Sequence, residues 1–360
     1  MSAITLPSFT FESGDTLREV PIAYRTWGEL NDAQDNAAVV CHALTGDTDV
    51  DEWWGDMLGP GRALDPTRHF VVCANVPGSP YGSVAPVTPD PNTGRPYGPD
   101  FPPVTPRDTV ALHRAVLDHL GVRQAALAIG GSMGGMHVLE WAFETTDDGR
   151  PFVRRLVPVA VGGRHTAWQI GWSEAQRQAI YADPNWQDGR YPDDAPPAQG
   201  LAAARMMAMV SYRSHPSFEG RFGRNRMADA NGATDAAPFA VESYLRYQGD
   251  KLVDRFDANC YVNLTRQMDA HDVARGRGTY EAVLRSIEQP TLVVGIDSDV
   301  LYPLTEQEEL ATHLPNATLE VLSSPHGHDA FLIEVEALND IIVSWTDGQK
   351  ISSSSMAACS

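Results

Sequence analysis

The sequence predicts an α/β fold: a mostly parallel sheet covered by helices on both faces and interrupted by an all-helical insertion. Short, nearly continuous apolar runs alternate with stretches of helical spacing, which is the pattern of strands buried on both sides. One such run ends in a glycine-lined serine turn that leads straight into a helical stretch. A long middle region has helical spacing and no convincing strand.

Residues 1–35 alternate apolar and polar in short pieces, notably Leu17 to Tyr24, with a turn at Gly28-Glu-Leu-Asn, so they predict antiparallel strands at a sheet edge. Ala37-Ala-Val-Val-Cys-His42 is an apolar run that opens into the loop Ala43-Leu-Thr-Gly46, as a buried parallel strand would. His69 to Ala74 is a further strand. A long Pro/Gly-rich excursion, 75–106, follows it, and loops of that length within a compact domain tend to be functional. Apolar residues at 110, 112, 116, 117 and 120 predict an amphipathic helix over 107–120, stopped by Gly121. Gln124 to Ile129 reads as a strand and Met136, Leu139 and Phe143 as one side of a helix, with Leu156 to Val161 the next strand. Far downstream, Thr291 to Gly295 and Thr318 to Leu322 supply two more.

Between Gly163 and Gly278 the helical stretches are Leu201–Ser211, Val241–Phe256 and Val262–Asp269, joined by polar connectors such as 183–197. The expected division is therefore a core over 1–162 and 279–348, a helical lid over 163–278, and a serine-rich disordered tail over 349–360.

With 360 residues and 42% hydrophobic content the chain buries a large core. A net charge of −20 argues against nucleic acid or an anionic membrane as partner, although Arg205, Arg213, Arg221, Arg224 and Arg226 form a local basic cluster suited to a small anion or to a solvated helix face. No apolar run is long enough to span a membrane and the first residues lack a signal-peptide pattern, so a soluble cytoplasmic protein is expected. Cys41, Cys73, Cys260 and Cys359 follow no metal-ligand spacing and are expected as free thiols, with no metal.

The turn Gly130-Gly131-Ser132-Met133-Gly134-Gly135 carries the chemistry. Between a strand and a helix, G-x-S-x-G describes a nucleophile elbow, in which glycines let two backbone segments crowd together and the serine hydroxyl projects into a cleft. In an α/β-hydrolase the oxyanion donors are the N–H of the residue after the nucleophile, here Met133, and one from an early strand-to-helix loop, here Leu44. A base and an orienting carboxylate should follow in chain order. Asp297 and Asp299 lie just past one late strand, and His326 and His328 just past the next. By residue chemistry alone each pair is evenly matched. Arg205 and Tyr212 sit about two turns apart on one helix face, which suits a carboxylate clamp as well as it suits an ordinary ion pair beside a half-buried tyrosine.

The sequence resembles the homoserine O-acetyltransferase family of the α/β-hydrolase superfamily, particularly its fungal-type members. The resemblance is carried by Cys41-His-Ala-Leu-Thr-Gly, Gly78-Ser-Pro-Tyr-Gly-Ser, Gly94-Arg-Pro-Tyr-Gly-Pro, Gly131-Ser-Met-Gly-Gly-Met, Trp172-Ser-Glu-Ala-Gln-Arg-Gln, Arg255-Phe-Asp-Ala-Asn-Cys-Tyr and Gly327-His-Asp-Ala-Phe-Leu. It implies an α/β-hydrolase fold with an inserted helical lid, Ser132 as nucleophile, Asp299 as orienter, His328 as base, and Leu44 and Met133 as oxyanion donors. It further implies Arg205 and Tyr212 at the acceptor carboxylate and Asp329 at its ammonium group. The implied reaction moves the acetyl group of acetyl-CoA, a co-substrate, to L-homoserine, with no bound cofactor and a homodimer formed through the lid helices. Serine as acceptor, a succinyl donor, or plain esterase or thioesterase chemistry are the alternatives on the same scaffold. The Gly-Ser-Pro-Tyr-Gly-Ser wall departs from the Gly-Gly-Cys-x-Gly-Ser of many bacterial members, near the acyl pocket.

Overall fold

The computed structural model describes residues 1–227 and 237–357. Its strands are β1 (Ser2–Thr10), β2 (Thr16–Trp27), β3 (Ala37–Cys41), β4 (Phe70–Ala74), β5 (Ala125–Gly131), β6 (Leu156–Val159), β7 (Thr291–Ile296) and β8 (Ala317–Leu322). They form an eight-stranded sheet in the order β1-β2-β4-β3-β5-β6-β7-β8. The β1–β2 and β2–β4 pairs are antiparallel, and all pairs from β4 to β8 are parallel. As the sequence predicts, the antiparallel hairpin caps one edge of an otherwise parallel sheet.

The helices are α1 (Val50–Trp53), α2 (Pro106–His119), α3 (Met133–Trp141), α4 (Ala167–Tyr181), α5 (Ala198–Tyr212), α6 (His215–Arg221), α7 (Ala240–Val253), α8 (Ala258–Asp269), α9 (Tyr280–Arg285), α10 (Leu304–His313), α11 (Ala330–Ile333) and α12 (Val335–Ala357). Successive side chains of a strand point to opposite faces, and β3 shows the consequence. Val39 and Cys41 join the cluster under α2, α3 and α10, whereas Ala38 and Val40 join the one under α1 and α12. Both faces of the central strands are thereby buried, which explains why these strands read as unbroken apolar runs.

Local chemistry sets the element ends. Thr105 caps α2 through a capping box with Asp108, and Pro106 occupies the first turn, where no N–H is needed. The strand expected over 156–161 ends at Val159, because Ala160 adopts φ 49° and leaves the ladder. Among the described residues, the stretch 163–278 holds helices α4 to α8 and only the isolated bridges Arg164–Asp272 and Arg226–Phe239. Helix α12 runs into the stretch from 349 that the sequence reads as a disordered tail, whose last residues, 358–360 with Cys359, lie outside the described residues. Cys41, Cys73 and Cys260 are free and buried.

In a parallel sheet the loops at the carboxyl ends of the strands share one edge. Here that edge collects the loop after β3 with Leu44, the turn after β5 with Ser132, the segment after β7 with Asp299, and the segment after β8 with His328. The helices of the insertion supply the other side chains around it.

Candidate active site

Ser132 adopts φ 56° and ψ −125° between β5 and α3, a conformation that an L-residue holds only when its surroundings impose it. The surroundings are glycines at close approach. A Cβ on Gly130 would come within 2.7 Å of the Cys41 carbonyl oxygen and of the Gly134 backbone, and one on Gly134 would overlap the Cys41 carbonyl outright. On the other flank, a Cβ on Gly131 would meet the Phe331 ring at 2.6 Å. Ser132 itself is 8% exposed, at the floor of the edge rather than in solvent.

Of the paired candidates, the structure joins Asp299 with His328. His328 Nδ1 lies 2.6 Å from Asp299 Oδ2, while Asp299 Oδ1 accepts the N–H groups of Leu301 (2.8 Å) and Tyr302 (2.9 Å). A carboxylate only accepts, so this contact puts the proton of a neutral imidazole on Nδ1 and leaves Nε2 as the basic nitrogen. His328 Nε2 is buried and has no hydrogen-bond partner among the described residues. Burial pushes the His328 pKa down, but the charge and hydrogen bond of Asp299 more than offset it, and the net shift is upward. The other candidates do different work: Asp297 accepts from Ser323 Oγ (2.7 Å) and the Ser324 N–H (3.1 Å), and half-buried His326 lies 3.3 Å from Ser217 Oγ.

Phe331 links the two halves of the edge. Its ring packs edge-on against the His328 imidazole, with centroids 5.5 Å apart, and it is the same ring that lies against Gly131 next to the serine. Trp54 holds this segment in place, donating its indole N–H to the Phe331 carbonyl at 2.8 Å.

The loop after β3 is a tight turn in which the Gly46 N–H donates to the Ala43 carbonyl at 2.9 Å. His42 pins its base, with Nδ1 at 2.9 Å from the Ala43 carbonyl and Nε2 accepting the Val76 N–H at 3.0 Å. The backbone N–H groups of Leu44, inside the turn, and of Met133, at the start of α3, have no partner among the described residues. Both are therefore available to an anion, and the Met133 donor sits at a helix N-terminus, where the backbone dipoles favour negative charge.

Arg205 and Tyr212 lie on α5, with the guanidinium carbon 5.7 Å from the tyrosine ring centroid, and that ring is 5.7 Å from the His328 ring. Burial pushes the Tyr212 phenol up to about 12, so it stays a neutral donor. No acidic side chain pairs with Arg205 among the described residues. Asp329 is held by a residue that sequence reasoning did not single out for the site: Arg213, just past the end of α5, whose Nε is 3.1 Å from Asp329 Oδ2. Burial raises the Asp329 pKa, with Arg213 and His328 working against that rise. The signal that would have found Arg213 is its adjacency to Tyr212 in the basic cluster. Among the described residues, no group of His, Cys, Asp and Glu could hold a metal ion, and no helix is long and apolar enough to cross a membrane.

A family model for the alpha/beta hydrolase fold matches residues 37–335. A homoserine O-acetyltransferase of Salinibacter ruber is 72% identical over 95% of this chain and 96% of its own. One from Nostoc punctiforme is 55% identical over 94% and 93%, and one from Gibberella fujikuroi 50% identical over 94% and 86%. Among solved structures, esterase E22 superposes with a TM-score of 0.85 at 27% identity, covering 95% of this chain and 98% of that one. The homoserine O-acetyltransferase of Bacillus anthracis superposes with a TM-score of 0.86 at 23% identity, covering 95% and 96%.

Proposed function

The chain belongs to the homoserine O-acetyltransferase family of α/β-hydrolases, and from that premise we propose that it transfers the acetyl group of acetyl-CoA to the γ-hydroxyl of L-homoserine, a step of methionine biosynthesis. The observation that carries this reading is the buried imidazole of His328, fixed on Asp299 through Nδ1 and unpartnered at Nε2, on the sheet edge that holds the strained Ser132.

Ser132 Oγ attacks the thioester carbonyl as His328 Nε2 takes its proton. The Leu44 and Met133 N–H groups hold the oxyanion, and Asp299 stabilises the imidazolium. The carbon–sulfur bond then breaks, and coenzyme A leaves with the proton from His328. In the second half the homoserine hydroxyl gives its proton to His328 and attacks the acetyl-serine, and Ser132 leaves with that proton. The donor must depart before the acceptor reacts, so the kinetics are ping-pong.

Arg205 and Tyr212 are assigned to the acceptor carboxylate and Asp329 to its ammonium group. Their support is position: an unpaired guanidinium, a neutral phenol and a carboxylate gathered around His328. Holding the acceptor hydroxyl there favours transfer over hydrolysis. We assign the protein to the cytoplasm and read it as a homodimer. The exposed Trp168 and Ile170 on α4, Val210 on α5 and Tyr247 on α7 support association through the insertion.

The second reading is a serine esterase, favoured by the likeness to esterase E22. Coenzyme A release from acetyl-CoA with and without homoserine separates them. A transferase accelerates strongly on adding the acceptor and a hydrolase is indifferent. The same assay with serine as acceptor, or succinyl-CoA as donor, tests the nearest alternatives, which differ by as little as one methylene, worth only about 1–3 kcal/mol of discrimination.

A further inference from the structure

Tyr302 touches both members of the Asp299–His328 pair. Its backbone N–H donates to Asp299 Oδ1 at 2.9 Å, and its ring stacks on the His328 imidazole, 5.1 Å between centroids at 27°. The side chain is fully buried, and its hydroxyl lies 3.0 Å from His165 Nε2. His165 Nδ1 lies 3.1 Å from Asp269 Oδ1, and Asp269 Oδ2 pairs with Arg177 at 2.7 Å.

The order of protons along this chain is determined. Asp269 only accepts, so Nδ1 of His165 carries the proton, Nε2 accepts, and the tyrosine hydroxyl must donate. Burial lowers the His165 pKa despite Asp269, which keeps this ring neutral and the order intact. Arg177 and Asp269 belong to α4 and α8 of the insertion. The same α4 grips the segment between Asp299 and Tyr302 directly, Trp168 Nε1 donating to the Val300 carbonyl (2.8 Å) and Gln169 Nε2 to the Leu301 carbonyl (2.9 Å).

We propose that Tyr302 is a positioning residue: the chain Arg177–Asp269–His165–Tyr302 fixes the plane of the His328 imidazole, so that the insertion helices set the aim of Nε2. Asp299 holds one atom of the ring, and Phe331 meets it edge-on and Tyr212 at a tilt, so of the three aromatic neighbours Tyr302 is the one stacked on its face. A stacked ring anchored at its far end by His165 fixes the tilt of the imidazole plane. This rests on the assignment of His328 as the base of the reaction above.

The test uses the full-length protein and the variants Tyr302→Phe, His165→Leu and His165→Gln, the last keeping an acceptor for the tyrosine hydroxyl. The readouts are kcat and KM for acetyl transfer, the rate of Ser132 acylation by p-nitrophenyl acetate, and the far-downfield proton resonance of the His328–Asp299 hydrogen bond. Tyr302→Phe and His165→Leu should each lower kcat and acylation about tenfold and shift or broaden the resonance, since small misplacements of a reacting group act at this scale. Both KM values should stay within about twofold, and His165→Gln should stay near wild type. The proposal is overturned if Tyr302→Phe leaves kcat and the resonance unchanged, or if His165→Gln falls as far as His165→Leu. Should the wild type fail to use homoserine while Tyr302→Phe still slows acylation, the functional assignment fails and the positioning role stands.

Discussion

The α-carbon of Gly134 faces the carbonyl of Cys41 so closely that no Cβ fits between them. The Ser132 turn is thus clamped by a backbone contact from β3, the strand that also leads into the turn holding Leu44. Gly134→Ala should force these segments apart, a loss of about 1–3 kcal/mol or more by overpacking alone. Thermal unfolding and the acylation rate report it, and a variant with wild-type values for both would refute the clamp.

Ser132→Ala should abolish the acetyl-enzyme while leaving the fold intact, since the hydroxyl makes no hydrogen bond among the described residues that packing would miss. Intact-protein mass spectrometry after acetyl-CoA alone should find one acetyl group on the wild type and none on the variant. Acetylation persisting in Ser132→Ala would move the nucleophile elsewhere.

The raised His328 pKa makes two predictions of opposite sign. In its proposed role as base His328 works only when neutral, so kcat/KM should rise with pH through a value above the ordinary 6.5, and Asp299→Asn should move that limb to lower pH. The stability contributed by the protonated pair is fully present below the unfolded value near 6.5 and lost as pH rises through the higher folded value. Denaturant midpoints of wild type and His328→Gln against pH should therefore converge on the alkaline side; divergence there would contradict the shift.

Five other histidines point the other way. His42, His113, His137, His165 and His271 are buried, and burial lowers the pKa of each, to about 3 for His113 and about 4 for His271. The unfolded chain binds their protons first. Keeping them neutral costs nothing above about 6.5, and stability falls as pH drops from there toward those folded values. Urea midpoints should decline steeply below neutrality, more steeply than in His137→Phe; equal slopes would count against a buried neutral His137.

Arg205→Ala should raise the KM for homoserine about 10- to 100-fold, the loss of a charge-assisted hydrogen bond, and leave the KM for acetyl-CoA nearly unchanged. Arg213→Ala should act on the acceptor too, by freeing Asp329 from its 3.1 Å contact. A rise confined to the acetyl-CoA KM would place these arginines on the donor side.

Much of this was legible in the chain itself. Apolar runs marked the parallel strands from Ala37 to Leu322, and glycines around Ser132 marked the elbow, because burial and steric crowding act on neighbouring residues. Helix α4 was not legible, and its burial shows why. It buries Gln169, Ser173, Gln176 and Arg177 and exposes Trp168 and Ile170, the reverse of an amphipathic stripe. Its polar face bonds across to Leu301 and Asp269, partners far away in sequence.

By itself the sequence determined the layered α/β fold, the serine turn and the strand ends from which a base and an acid would come, since periodicity, turn chemistry and residue order are local properties. Residue chemistry left Asp297 and Asp299, and His326 and His328, evenly matched until the family resemblance chose Asp299 and His328; the tertiary structure shows those two in contact, and it alone shows that Arg213 holds Asp329 and that Tyr302 is tied to His165. Each of those contacts joins segments whose distance depends on strand order and helix packing. Hydrogen-bond partners chosen across the fold leave no periodic trace along the chain.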